Sequence, residues 1–264
     1  MEGKTTPSRP WADTPYALLE IPSKSQDVSH PALHIANEMS HAHNCMVRGL
    51  NAIYHQAPHV KKSADAADLI FLVASWVTWL TDHHHLEENM MFPGFEGVLG
   101  QPGLLTAAVE QHHAFERALD DLRQYAALPD VAEKFDAGEL RKRIEALGPP
   151  LREHLGDEIQ FLQRMREFCQ GESGEKKAQE LLRVYKTCEA EAGKQDKFVV
   201  PPMVMGLRDK TYEGGEGWPQ IPGGVVTESV IACVLSLKNK GAWRFLPCDH
   251  WGRPRPLAFG EEEQ

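Results

Sequence analysis

The sequence predicts an all-α protein: an antiparallel, up-down four-helix bundle followed by an irregular C-terminal extension. Three observations predict this class. Between residues 31 and 170, apolar residues recur at spacings of three, four and seven, the helical period. Prolines and glycines divide that stretch into four segments with fairly short connections, as antiparallel neighbours require. No β-α-β alternation occurs before residue 198.

Residues 1–30 are rich in proline and serine, carry Trp11 and Tyr16, and read as an extended arm. The first helix is expected over 32–56, with Ile35, Met39, Met46, Leu50 and Ile53 on its inner stripe and Pro58 at its end. The second is expected over 64–92, with Ser63 or Asp65 near its N-cap and a stripe of Leu69, Leu72, Trp76 and Leu80. Pro93 and Gly94 should stop it, and Pro102 and Gly103 precede the next start. The third covers about 104–126, with Leu105, Ala108, Phe115, Leu119 and Leu122 on one face. The fourth covers about 134–169, with Ile144, Leu147, Leu151, Leu155, Phe161, Leu162 and Met165 inward. Gly148-Pro149-Pro150 interrupts it and implies a kink or a restart at Pro150.

A weakly periodic, charged helix follows over 174–191. From residue 193 glycine and proline become frequent, yet three of the six tryptophans lie there: Trp218, Trp243 and Trp251. Disordered tails are poor in aromatics, so this segment is expected to be irregular but ordered and packed on the bundle. Val225–Leu237 fits either a strand or a helix, and Glu261-Glu262-Glu263 reads as a solvated charge run. The expected organisation is an arm at 1–30, a bundle at 31–170 and an extension at 171–264.

The chain has 264 residues and a formal net charge of −10. That charge argues against nucleic acid or an anionic membrane surface as the main partner, since both select a basic face. Five widely spaced cysteines, with no CxxC pair, suit a reducing compartment better than a disulfide framework. Met1–Pro10 lacks the apolar core of a secretory signal. No uninterrupted apolar run approaches the ~20 residues that span a bilayer. The cytoplasm is the expected location.

The chemistry lies where metal-ligand side chains interrupt the apolar stripes. Positions seven apart on a helix face nearly the same way. His43 is seven before Leu50; His83 is seven after Trp76; His112 is seven from both Leu105 and Leu119; His154 is seven after Leu147. Glu87, Glu116 and Glu158 each follow one of these histidines by four. His41, His84 and His113 are expected to be turned aside, His84 by ~100° from His83. His55, His59 and His250 take no role.

One such His–Glu pair is commonly a solvated salt link. Three pairs and a fourth histidine, all on apolar stripes, describe buried carboxylates that need cations to balance them. Imidazole with carboxylate suits iron, zinc or manganese. Seven candidate ligands exceed what one ion takes and fit two six-coordinate ions with bridging groups. Glu87 and Glu158 are then the natural bridges, with Glu116 and the histidines terminal, and an unfilled position open to dioxygen or a similar small molecule.

The segments His43-Asn44, His83-His84-His85-Leu86-Glu87-Glu88-Asn89-Met90-Met91-Phe92-Pro93, His112-His113-Ala114-Phe115-Glu116 and His154-Leu155-Gly156-Asp157-Glu158 together resemble the hemerythrin-like, HHE cation-binding domain. The run from Arg48 to Tyr54 resembles fungal members of that family. The resemblance covers about residues 31–169 and implies two iron ions (Fe2+/Fe3+), bridged by two carboxylates and an oxo or hydroxo group. It implies dioxygen, nitric oxide or peroxide as the partner, in oxygen binding, sensing, scavenging or iron handling. Carried over by position, His43, His83, Glu87, His112, His154 and Glu158 match the family pattern. Glu116 departs from the oxygen carriers, which have histidine there. A third carboxylate would favour ferric iron and move the set towards carboxylate-rich diiron oxidases. The acid at Glu158 also stands one residue closer to its histidine than in the carriers.

Two other classes compete with a dioxygen-binding diiron protein. A diiron oxidase or oxygenase would need an organic-sized pocket at the metals, and the tryptophan-bearing extension could form its wall. An interaction module with a purely structural metal would have a fully coordinated, inert centre. Cys45, Trp76 and Trp79 read as core residues. No nucleophilic triad, P-loop or dinucleotide fingerprint is present.

Overall fold

Pro31 opens the first helix, α1 (Pro31–Gln56), at a position where its missing N–H would have had no helical partner. His30 caps it, its Nδ1 accepting from the Ala32 N–H at 3.1 Å. The chain is seen in a computed structural model that describes residues 11–260. Met1–Pro10 of the arm and the Glu261–Glu263 run lie outside the described residues.

The second helix departs most from expectation. Pro93 and Gly94 do not stop it: α2 (Ser63–Leu86) passes through a π-helical turn, Glu87–Met91, directly into α3 (Phe92–Leu99). In that turn the Phe92 N–H reaches back five residues to the Glu87 carbonyl. The wider turn gives Pro93 a place near a helical start, where its absent N–H and its ring are tolerated. Gly94 persists because a Cβ there would lie 2.6 Å from Val184 of a neighbouring helix. The continuous helix ends at Gly100, whose φ of 68° is left-handed.

That fused helix, Ser63–Leu99, is also long and apolar enough to cross a membrane by length and hydropathy. This departs from the expectation that no segment would be. Leu69, Leu72, Val73, Trp76 and Leu80 of this helix are buried in the protein core, while Phe71 is exposed.

The third and fourth bundle helices are α4 (Thr106–Ala126) and α5 (Ala137–Arg164). Asp136 caps α5, accepting from the Gly138 and Glu139 N–H groups. There is no restart at Pro150; α5 runs through Pro149 and Pro150 as one helix. Tyr16 of the arm lies against this point. Its hydroxyl donates to the Ile144 carbonyl at 3.1 Å, and a Cβ on Gly148 would overlap its ring.

Packing pairs α1 with α5, α5 with α4, α4 with α2, and α2 with α1, which closes the bundle. The α1–α5 pairing is antiparallel: Tyr54 meets Glu145, whereas His43 meets Leu155. Large side chains such as Trp76, Phe115, Ile35 and Leu72 are fully or almost fully buried. Each contributes about 1.5–3 kcal/mol relative to exposure. Gly49 is the close-approach point. A Cβ there would sit 2.5 Å from Trp76 Cδ1, so its absence lets the indole lie on α1 and donate to the Met46 carbonyl at 3.0 Å.

The arm is held by a ladder no periodicity search for apolar residues would find. Asn37, Asn44 and Asn51 recur every seven residues on α1. Their side-chain oxygens accept from the Ser23, Leu19 and Tyr16 N–H groups in turn. Asn44 and Asn51 also donate to the Leu19 and Tyr16 carbonyls. Seven helical residues rise ~10.5 Å, which three or four extended residues match, so the registers agree over three rungs.

The extension is more helical than irregular: α6 (Gly174–Ala192), α7 (Val200–Leu207) and α8 (Gly224–Cys233). Val225–Leu237 resolves as α8 and a following 3-10 turn rather than a strand. Among the described residues the β-type pairing is an isolated bridge between Cys248 and Pro254. Helix α6 packs on α1, α2 and α3, and α7 on α1, so the extension spans the seam between the first two bundle helices.

Candidate metal centre

Four bundle helices and the π-turn converge on one buried cluster. His43 Nε2 lies 3.3 Å from His83 Nε2 and 3.4 Å from Glu158 Oε2. His83 Nε2 lies 2.8 Å from Glu87 Oε1, and His112 Nε2 lies 3.6 Å from Glu87 Oε2. His112 and His154 approach with their Nε2 atoms 2.9 Å apart, and His154 Nε2 is 3.9 Å from Glu158 Oε2. These atoms form two groups with metal-site spacing: His43, His83 and Glu87, and His84, Glu87, His112 and His154. Glu87 belongs to both, and Glu158 reaches one histidine of each.

Of the seven sequence-derived candidates, the structure brings together His43, His83, Glu87, His112, His154 and Glu158. It does not bring Glu116, which is exposed on α4 at the mouth of a polar recess. His84, expected to be turned aside, fills that part of the cluster instead, with its ring centroid 4.3 Å from that of His112. Helix α2 points the boundary between its residues 83 and 84 at the bundle axis. The two rings, ~100° apart, then flank the axis, one serving each group. Glu116 is one turn beyond His112, and α4 carries it out to solvent. His41 stacks on Trp218 of the extension at 5.7 Å, outside the cluster, and His113 is exposed.

Outer partners set the protonation of the rings. His43 Nδ1–H donates to the Leu155 carbonyl at 3.1 Å, His112 Nδ1–H to Glu88 Oε1 at 2.6 Å, and His154 Nδ1–H to Gln111 Oε1 at 3.2 Å. In that tautomer, assigned from the partners, all three Nε2 atoms present bare lone pairs to the centre. Burial keeps the rings neutral: it drives His43 and His84 well below the usual histidine range, His83 down to about 4 and His154 down to about 2. His112 is lowered by burial too, with Glu88 opposing.

Burial likewise raises Glu87 and Glu158 well above the usual carboxylate range. All four of their carboxylate oxygens are buried without a hydrogen-bond donor, and so is His84 Nε2. A protein of this size does not bury four acceptor atoms unpaired at no cost; each costs about 1–3 kcal/mol. Facing lone pairs at 2.9 Å repel unless a proton or a cation lies between them. A cation held by these groups would give their unpaired atoms a partner, so the donor set fits bound metal.

The two groups open in different directions. A cleft of about 290 Å³ lies on the His83 side, in the α1–α2 seam that α6 and α7 cross. His83 and Glu87 line it together with Met39, Trp79, Leu86, Met91, Val204 and Trp218. The His83 side chain keeps 15% of its surface open there, whereas that of His43 keeps none. On the other side a polar recess of about 330 Å³ is lined by His84, Glu88, His112, His113 and Glu116. Cys45 is not part of either; it is buried, with its thiol pushed up to about 12 by burial.

Sequence reasoning passed over His84, Glu88 and Gln111. The His83-His84-His85 run with its Glu87-Glu88 doublet carried the signal, but not which member of each faced inward.

Comparison with known proteins agrees with this geometry. A family model described as the hemerythrin HHE cation binding domain matches residues 34–165. A curated relative, "Dimeric xanthone biosynthesis cluster protein R11" of Cryptosporiopsis sp. (strain 8999), is 31% identical over 263 residues, covering 96% of this chain and 95% of the relative. The match therefore includes the extension as well as the bundle. No solved structure matches significantly.

Proposed function

Because the chain belongs to the hemerythrin HHE cation-binding family, of the type found in fungi, we propose that it is a non-haem diiron protein that reacts with dioxygen or peroxide to oxidise a small organic molecule. The observation that carries this reading is the cleft beside His83 and Glu87. A centre that only carried or sensed a diatomic ligand would need a narrow apolar sheath. A cleft of about 290 Å³ approaches the size range of small-molecule sites, about 300–1,000 Å³. The relative's place in a dimeric xanthone biosynthesis cluster supports an organic substrate.

The proposed ligands are His43, His83, Glu87 and Glu158 for one ion, and His84, His112, His154, Glu87 and Glu158 for the other. Imidazole and carboxylate also suit manganese or zinc, and iron is preferred here on family grounds. Iron held there would pass to dioxygen or peroxide the electrons that the organic molecule gives up. The chain's own residues do the rest. Glu87 and Glu158 hold the two positions at a fixed separation. Glu88, Gln111 and the Leu155 carbonyl lock the imidazoles in the ligating tautomer. Phe92 and Phe115 pack on His112 and hold its ring in place. His83 is the ligand whose ring borders the cleft, so a bound molecule meets the centre through it. With His84 in the cluster and Glu116 outside it, the third carboxylate is absent from the centre. All five cysteines are free, which supports a reducing, cytoplasmic setting.

The reading is tested on protein purified without chelators. Metal analysis should find two iron ions per chain. The ferrous form should develop a charge-transfer absorption on exposure to air. Less than one metal per chain, or a ferrous spectrum indifferent to air, overturns it.

A further inference from the structure

The cleft's lining says what kind of molecule enters it. Its walls are Met39, Trp79, Leu86, Val204 and Trp218, and this apolar surface outweighs the polar share. Two tryptophan faces favour a flat ring system, which stacks at little entropic cost. A cavity of ~150 Å³ accepts benzene, so one of about 290 Å³ holds about two rings.

Away from His83 and Glu87, the polar lining includes Glu38 from α1 with Tyr185 and Glu189 from α6. Burial and the charge of Glu189 raise Glu38 to about 7, and burial raises Glu189 above its usual range with Lys186 opposing. Near neutral pH Glu38 can therefore donate as well as accept a hydrogen bond, and the two acids disfavour an added negative charge. Tyr185, raised well above its ordinary range by burial, stays a phenol and adds a second hydroxyl dipole. None of these three residues belongs to the metal cluster; Glu38 and Tyr185 are half-buried along the seam, and Glu189 is exposed at its edge. Half-burying Glu38 costs free energy that a hydroxylated ligand returns through a hydrogen bond.

We propose that the cleft between α1, α2 and α6 is the substrate site, and that it selects a neutral, flat, hydroxylated aromatic molecule of about two rings, ring system against Trp79 and Trp218, hydroxyl on Glu38 and Glu189. This rests on the diiron reading for its catalytic meaning, but the binding itself does not need a metal. Charged carboxylates of the same size are rejected by the acid pair. Unsubstituted hydrocarbons enter but bind more weakly.

The test uses 2-naphthol, naphthalene and 2-naphthoate as probes of the full-length protein by calorimetry. The expected result is saturable binding of one 2-naphthol per chain, naphthalene about tenfold weaker for the loss of one hydrogen bond, and no binding of 2-naphthoate. Ala42→Phe, which fills the cleft, should abolish binding of all three. The double substitution Glu38→Met with Glu189→Met should remove the preference for 2-naphthol over naphthalene. A second measurement needs no variant: the aromatic protons of 2-naphthol should relax faster with manganese(II)-loaded protein than with zinc-loaded protein, because the cleft borders His83 and Glu87. Absence of saturable 2-naphthol binding, unchanged affinity in a folded Ala42→Phe protein, equal binding of naphthalene, or equal relaxation in proteins shown to carry their metals overturns the proposal. Metal content is measured separately. Calorimetric binding with less than one metal per chain leaves the cleft assignment standing and sinks the diiron reading; two metals without binding do the reverse.

Discussion

His112 and His154 face each other with their Nε2 atoms 2.9 Å apart, while the opposite nitrogen of each ring is engaged by Glu88 or Gln111. Two neutral imidazoles cannot hold that contact with lone pair against lone pair. The surrounding architecture, with helices α4 and α5 packed along their lengths, imposes it. A shared cation would convert the repulsion into attraction and so let the bundle keep both rings in the same layer.

The exchange of Glu116 for His84 yields the sharpest expectation. His84→Ala should lower the affinity for one of two metal equivalents by more than the ~10–100-fold typical of an outer-shell loss. Glu116→Gln should leave both equivalents in place, since Glu116 is exposed. Metal titration followed by elemental analysis distinguishes the two variants. Loss of a metal in Glu116→Gln with two retained in His84→Ala would restore the assignment made from the sequence.

Glu88 acts through His112. Glu88→Gln keeps a side chain able to accept from Nδ1–H but removes the charge that favours a basic imidazole. A fall in metal affinity of about 10-fold is expected, with a smaller change than Glu88→Ala, where about 100-fold is the upper end. Competition against a chelator of known affinity measures both.

Gly49→Ala places a methyl 2.5 Å from the Trp76 ring, which is fully buried. Overpacking of this kind costs about 1–3 kcal/mol, and the Trp76 N–H to Met46 carbonyl bond should lengthen or break. Denaturant unfolding should show a lower midpoint with an unchanged slope.

Glu38 makes stability depend on pH. Its folded value of about 7 exceeds its ordinary 4.5, through burial and the charge of Glu189, with Asn37 opposing. The folded state therefore holds the proton more tightly than the unfolded chain, and the slope of stability with pH is negative in that window. The contribution is intact below pH ~4.5 and is lost as pH rises through ~7. Solvent at the cleft mouth keeps the total well under the ~3 kcal/mol that the full shift represents. Glu38→Gln should gain on the wild type in melting temperature between pH 5 and pH 8. A constant difference across that range would show that Glu38 is ionised throughout.

Much of the bundle was legible in the chain. The four apolar stripes placed α1, α4 and α5 within a few residues of their observed bounds, because amphipathic periodicity follows directly from 3.6 residues per turn. Pro93 and Pro149-Pro150 misled, because a proline's local cost can be absorbed by a π-turn or by a helix packed on both sides. Those remedies are supplied by neighbours and not by the residue itself. The asparagine ladder of α1 was invisible because its partners are main-chain atoms of the arm, which leave no mark in side-chain patterning.

The sequence alone determined the helical class, the presence of a histidine- and glutamate-rich layer on four apolar stripes, and the resemblance that the family comparison established. Only the tertiary structure decided that His84 rather than Glu116 enters that layer. The reason is angular: spacing sets the angle between residues on one helix, but the rotation of α2 and α4 about their own axes is set by what they pack against. The cleft likewise exists because α6 and α7 lie across the α1–α2 seam, a relationship among distant segments that no local pattern encodes.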